Sequence, residues 1–281
     1  MVENRPWLTV LTHVVLILGI LLMFFPIYLA FVASTHSLRE ITSLPMPLLP
    51  GKYFGENYHL AFLEGAKSLG APVSIMMKNS LIMAFGIAIG KIAISLLAAF
   101  AIVFFRFPGR SACFWMIFLT LMLPVEVRIL PTYKVIADMG LLNSYTGLIL
   151  PLIASATATF LFRQFFMSIP DEIIEAARVD GAGPMRFFFD ILIPMSRTSI
   201  AAMFVILFIY GWNQYLWPLL ITTEEKYYTL LIGINRMLAV GDQQAEWHLI
   251  MATTLLAMTP PVLVVIFMQR LFVRGMTETE K

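Results

Sequence analysis

The sequence predicts an all-α polytopic membrane protein with six transmembrane helices. Two observations carry this. Of its 281 residues, 59% are hydrophobic and 13% charged, with a mean hydropathy of +0.84, against about 45–50% apolar and 25% charged in soluble domains. Six segments also approach the roughly 20 apolar residues that a bilayer core demands. They run over about 7–33, 80–105, 112–130, 147–166, 199–221 and 249–268. The first is too long for a signal-peptide core and has no small-residue cleavage site, so it reads as an uncleaved anchor. The third is interrupted by Pro124. A net charge of +2 without a Lys/Arg cluster argues against nucleic acid. The single cysteine, Cys113, excludes a disulfide framework, and His13, His36, His59 and His248 lack ligand spacing, so neither metal nor cofactor is expected.

The first and second segments are joined by a polar loop. Its "LPMPLLPGKYF" run breaks any long helix. The expected organisation is an N-terminal membrane anchor helix over 1–34, an extramembranous loop over 35–79, a core with five helices over 80–275, and a tail over 276–281. Orientation follows from Lys and Arg near the membrane ends. Arg5, Arg106, Arg110, Arg163, Arg178, Arg186, Arg197, Arg270 and Arg274 fall on one side, and much of the opposing charge sits in the long loop. Both termini are therefore expected in the cytoplasm.

The stretch "EAARVDGAGPMRFFFDILIP", Glu175 to Pro194, breaks the oily pattern with five charges, two glycines and two prolines. Just upstream, Ser168, Pro170 and Asp171 read as a helix start with Ser168 as cap. Asp171, Glu172 and Glu175 complement the helix dipole. Ile173, Ile174, Ala177 and Val179 are expected to form an apolar face. Gly181 should end the helix at positive φ. Pro184 opens a second helix, which Phe187, Phe188, Ile191 and Leu192 return toward the membrane and Pro194 bends. The result is a hairpin over about 168–195 on the cytoplasmic side. Small Ala176 and Ala177 would let a partner approach closely, and Glu175 would offer it a charge. The residues alone leave a solvated amphipathic hairpin equally open.

The spacing Glu175-Ala176-Ala177, three residues, Gly181, nine residues, Ile191 and then Pro194 resembles the signature of the membrane subunits of binding-protein-dependent ATP-binding cassette importers. Ile193 stands where a leucine is usual. Further similarity covers about 80–275, including "AFAIVFFRFPGR", "MLPVEVRILPTY", "GLLNSYTGLIL" and "WNQYLWPL", and falls in the carbohydrate-uptake branch. "TLMLPVEVRI" and "LIASATATFLFRQFF" are similar to the permeases for sn-glycerol 3-phosphate. The resemblance implies a type I importer permease fold and ATP-driven uptake of glycerol 3-phosphate or a related glycerophosphodiester, with a neutral sugar or oligosaccharide as the alternative. It implies that Glu175, Ala176, Ala177, Gly181, Ile191 and Pro194 couple to an ATPase. It also implies a homologous permease chain, two cytoplasmic ATP-binding subunits and a periplasmic solute-binding protein as partners, in the bacterial inner membrane.

No nucleotide site is expected in this chain. "GIAIGKI" is one residue short between Gly86 and Gly90 for a P-loop, has no Ser/Thr after Lys91, and lies inside a membrane segment. Gly86 and Gly90 read instead as a helix-packing face. No nucleophile–base constellation appears, so ATP hydrolysis is left to partner subunits. The candidates for a solute path are Arg128, Lys91, Asn213, Gln214 and Glu126, with Thr157 and Thr159 as further polar positions. A lysine at mid-membrane costs about 2.5–3.5 kcal/mol on insertion scales. Lys91 therefore either serves an anionic solute or is paired or hydrated at a seam. Arg128 either meets a phosphate, which a guanidinium binds bidentately, or balances Glu126. Trp217 reads as an interfacial anchor. A stand-alone secondary transporter would use the same membrane charges but has no reason to carry the hairpin.

Overall fold

The computed structural model describes residues 6–66, 71–120, 124–239 and 245–278, which form helices joined by loops, with no strand among them. The chain divides into two compact units, one of 1–74 with 233–259 and one of 75–232 with 260–281.

In the first unit, α1 (Pro6–Ser34) is an apolar rod whose strongest apolar window has no buried residue, as a lipid-facing anchor requires. The loop after it is ordered by short devices. Ser37 and Glu40 form a reciprocal capping box on α2 (Leu38–Ile41). The buried Asn57 of α3 (Phe54–His59) donates to the Ser34 and His36 carbonyls at 2.9 and 2.8 Å. These bonds satisfy the carbonyls exposed where α1 ends.

The second unit is built around α4 (Val73–Phe104), which begins seven residues before the expected Ser80. Among the described residues, three helices, α1 and α4 among them, are long and apolar enough to cross a membrane, and the number reaches five if each of two bent helix pairs is one span. The expected third span is instead α5 (Arg110–Leu119) followed by α6 (Val125–Asp138). Pro124 does not interrupt a helix; it stands at the N-cap of α6. It lacks an N–H and disfavours α geometry in its predecessor, so it suits a start. The expected fourth span begins at α7 (Tyr145–Ile149), turns through Leu150–Leu152, and resumes as α8 (Ala156–Met167) at 50°. Ser155 accepts from the Ala158 N–H at the restart. The expected fifth splits into α12 (Arg197–Trp212) and α13 (Leu216–Ile221). Pro218 has no N–H for the Gln214 carbonyl, so one helix cannot run through. The last, α15 (Trp247–Glu278), contains Pro260 and Pro261 and extends ten residues past Met268. The short α14 (Leu230–Leu238) precedes it.

The glycines of α4 behave as a packing face. A Cβ on Gly86 would lie 2.6 Å from Ile149 Cδ1, and one on Gly90 2.5 Å from Ile153 Cγ2. At Gly211 of α12 it would lie 2.9 Å from the Ala84 Cα. Small residues thus let backbones close in, as membrane helix contacts favour. Beside this face sits a core of Met83, Ile87, Ile136, Leu148, Trp217 and Ile221. Trp217 is therefore not an interfacial anchor. It is 3% exposed, and its indole N–H donates to the Gly147 carbonyl at 3.1 Å. Trp217→Ala should leave a cavity and an unpaired carbonyl, at about 3–5 kcal/mol. Thermal unfolding in detergent should show a lowered midpoint; an unchanged midpoint would mean that the core collapses around the gap.

Asn79 and Asn143 hold the connections at this end. Asn79 is fully buried and donates to the Lys226 and Tyr228 carbonyls at 2.8 and 2.9 Å, while accepting from the Tyr145 hydroxyl at 2.7 Å. Asn143, at φ 51°, accepts from the Thr223 and Glu224 N–H groups. Asparagine tolerates the left-handed region better than other side chains.

Candidate functional site

The hairpin begins at α9 (Asp171–Val179), with Pro170 and not Ser168 at its N-cap. The Ser168 hydroxyl instead donates to the Phe165 carbonyl at 2.7 Å, closing α8. Asp171 and Glu172 occupy the first turn of α9 and Arg178 the last, each matching the helix dipole. Gly181 has φ +70°. The Ala182 N–H donates to the Ala177 carbonyl at 2.9 Å and the Gly181 N–H to the Arg178 carbonyl at 3.0 Å. This pair of bonds is a Schellman motif, which needs a left-handed residue at the position Gly181 fills.

The two alanines separate. Ala177 is buried, while Ala176 is exposed with Glu175. Val179 does not join the inward face; it is 87% exposed. At about 100° per residue, Glu172, Glu175, Ala176 and Val179 share one side of α9, opposite Ile173, Ile174 and Ala177. The outer side thus carries two carboxylates and two small apolar groups that none of the described residues covers.

The return arm, α10 (Pro184–Arg186), continues through a π-helical turn over Phe187–Leu192 into α11 (Ile193–Met195). Pro184 occupies the first turn, where its missing N–H costs nothing. Phe187 and Phe188 are buried against α4, with ring centroids 5.3 Å from Phe104 and 4.8 Å from Phe100. Ile191 and Pro194 are half-buried just before a 73° bend between Pro184–Met195 and Arg197–Trp212. They shape the return and do not lie on the exposed side of α9.

A second constellation lies within the membrane part of the same unit. Lys91, 6% exposed on α4, places its ammonium 3.6 Å from the centre of the Tyr210 ring. The ring's π-face offers a partly desolvated cation about 2 kcal/mol. Lys91, Tyr210 and Arg128 of α6 line a cavity of about 460 Å3 together with Thr157 and Thr159. An adjoining cavity of about 130 Å3 shares Lys91, Arg128 and Tyr210 and adds Gln214. Gln214 donates to the Tyr210 carbonyl at 3.1 Å. Among the described residues, neither Lys91 nor Arg128 forms a salt bridge. Asn213 is exposed and lines neither cavity. Glu126 is a helical position two residues before Arg128, and its side chain lies outside the described residues. Tyr210 was not legible as a partner of Lys91, because the two lie far apart in sequence and only packing joins them.

Residues 91–278 match the family described as binding-protein-dependent transport system inner membrane component. The chain belongs to that family. This inner membrane component is 57% identical over 281 residues to the sn-glycerol-3-phosphate transport system permease protein UgpE of Escherichia coli (strain K12), covering all of both chains. It is 58% identical, again over both full lengths, to the proteins of that name from Escherichia coli O1:K1 / APEC and from Shigella dysenteriae serotype 1 (strain Sd197). Its fold is similar to a chain of a bacterial ABC transporter that imports the acidic polysaccharide alginate. There the TM-score is 0.82 at 20% identity, covering 96% of this chain and 98% of that one. A bacterial alginate ABC transporter in complex with an alginate pentasaccharide-bound periplasmic protein matches at a TM-score of 0.61 and 16% identity, covering 96% of each chain. The resemblance drawn from Glu175 to Pro194 is thus borne out, and the importer permease fold with it.

Proposed function

We propose that this inner membrane component is a permease subunit for ATP-driven uptake of sn-glycerol 3-phosphate, acting beside a homologous permease chain. Two cytoplasmic ATP-binding subunits hydrolyse the ATP, and a periplasmic protein delivers the solute. The observation that carries the reading is the 57–58% identity over full length to permeases of that solute. The cavity supports it: two cations without a described carboxylate suit an anion better than a neutral sugar. In this reading Arg128 and Lys91 meet the phosphate in turn, and Thr157, Thr159 and Gln214 offer neutral hydrogen bonds. A path that must also release its cargo is served by few charges.

Both termini lie in the cytoplasm, so the exposed side of α9 faces the ATP-binding subunits. Glu175 then addresses a cation, and Ala176 and Val179 fill an apolar groove. Prolines 184 and 194 and the Phe187–Phe188 packing fix the hairpin to α4. The test is reconstitution of the whole complex with its binding protein in liposomes. ATP hydrolysis should rise with sn-glycerol 3-phosphate and not with a neutral disaccharide. The reverse preference would overturn the solute, and ATP-independent transport by this chain alone would overturn the subunit role.

A further inference from the structure

A third charged recess lies away from both sites, where α4, α5 and α8 converge at the hairpin end of the second unit. It has a volume of about 380 Å3, and its lining includes Arg110, Ser111, Phe114, Trp115, Arg163 and Met167. Arg163 is half-buried and stacks on Phe114, its guanidinium carbon 4.1 Å from the ring centre. Its Nε is buried without a hydrogen-bond partner. Arg110 opens α5 and is exposed. Neither arginine takes part in a salt bridge among the described residues, and none of the lining residues is an acid. Gly109 caps α5 without a side-chain bond, so the first N–H groups of that ten-residue helix add positive potential at the same point.

The rim is greasy. Trp115 and Met167 are 57% and 56% exposed. Tryptophan favours the boundary between headgroups and acyl chains. A small soluble anion would satisfy the two guanidiniums and leave this apolar rim wet. A molecule carrying a phosphate beside hydrocarbon satisfies both. We propose that this recess holds the phosphate headgroup of an anionic phospholipid of the cytoplasmic leaflet, with its acyl chains along Trp115 and Met167. The proposal rests on the orientation given above, since only then does the recess meet that leaflet. Basic pockets between membrane helices on this side are suited to such headgroups. Arginine pairs with phosphate through two parallel bonds, which Arg163 can offer through the edge of its guanidinium while the face stays stacked on Phe114.

The test uses the assembled importer in mild detergent. It is titrated with phosphatidylglycerol or with phosphatidylcholine of the same chains, and retained lipid is counted by native mass spectrometry. Phosphatidylglycerol should be held in preference. Arg110→Gln should weaken its retention about fivefold, and Arg110→Gln with Arg163→Gln about thirtyfold, as expected for one and two basic residues at a membrane surface. Arg163→Lys should fall between, because it keeps the charge and loses the planar fork. Arg110 is exposed, so its single variant remains readable even where the double variant assembles poorly. Equal retention of the two lipids, or retention unchanged in Arg110→Gln, would overturn the proposal. Displacement of phosphatidylglycerol by millimolar inorganic phosphate would do so as well, by marking the recess as a soluble-anion site. Glycerol 3-phosphate uptake, measured in parallel, reports separately on the permease reading.

Discussion

Gly181→Val should uncouple uptake from ATP hydrolysis while leaving the chain inserted in the membrane. At φ +70° the turn asks for a left-handed residue, and a β-branched side chain tolerates that region poorly. A Cβ at this point would meet nothing within 4 Å, so the penalty is purely one of backbone conformation. It amounts to about 1–2 kcal/mol. The turn relieves it most easily by giving up the Schellman bonds, and α9 then loses its direction. A docking loss of that size is roughly five- to thirtyfold in affinity for the ATP-binding subunit. Gly181→Asn should retain most activity, since asparagine enters the same region more readily. Glu175→Lys tests the face itself by reversing an exposed charge. Uptake assays with immunoblots of membranes separate coupling from insertion. Normal transport by both Gly181→Val and Glu175→Lys would show that the hairpin does not transmit ATP-driven motion.

Removing a cation from the membrane cavity should cost uptake of the phosphorylated solute without dissolving the complex. Arg128→Gln is the cleaner variant, because Arg128 is exposed and opens into the cavity, whereas Lys91 is stacked on Tyr210. A hydrogen bond to a charged group is worth about 1.5–3 kcal/mol, so apparent affinity for the solute should fall roughly ten- to hundredfold. Lys91→Met should lower uptake similarly and raise thermal stability, because it removes the cost of a buried ammonium. Co-purification of the ATP-binding subunits should be unchanged in both. The double variant Glu126→Gln with Arg128→Gln separates solute binding from internal balance: recovered uptake would make Arg128 a structural counter-charge.

Local chemistry made much of the hairpin legible. Gly181 and Pro184 need particular backbone angles, and each sits where those angles occur. Val179 departs from the expected inward face, and the helical period accounts for it, since it falls opposite Ile173 and Ala177 on α9. Ser168 closes α8 and does not open α9, because a hydroxyl can end one helix as readily as start the next. The broken spans were harder. Pro124 and Pro218 signal a discontinuity, yet hydropathy averages across it and returns one apolar block. Trp217 was beyond sequence reasoning, because an indole at a helix end suits an interface or a core equally well. Only the Gly147 carbonyl, supplied from another element, decides between them. The same holds for the cavity: Lys91 and Arg128 were visible as costly charges, while Tyr210 and the exclusion of Asn213 emerge from packing alone.

The aromatic contacts between the hairpin and α4 have a mechanical consequence. Phe104, gripped by Phe187 and by Phe166 at 5.3 and 6.0 Å, lies on the same uninterrupted helix as Lys91. Thirteen residues separate them, which is about 20 Å of rigid rod. If α9 docks an ATP-binding subunit as proposed, a push there would meet little slack before it reaches the buried ammonium. A tilt of about 10° pivoted at the gripped end sweeps a point 20 Å away through roughly 3.5 Å, more than the length of a hydrogen bond. In the proposed coupling the helix would act as a lever, with the hairpin as its short arm and the charge on its long arm, so a small stroke at the base would be enough to make or break contact with a passing ion.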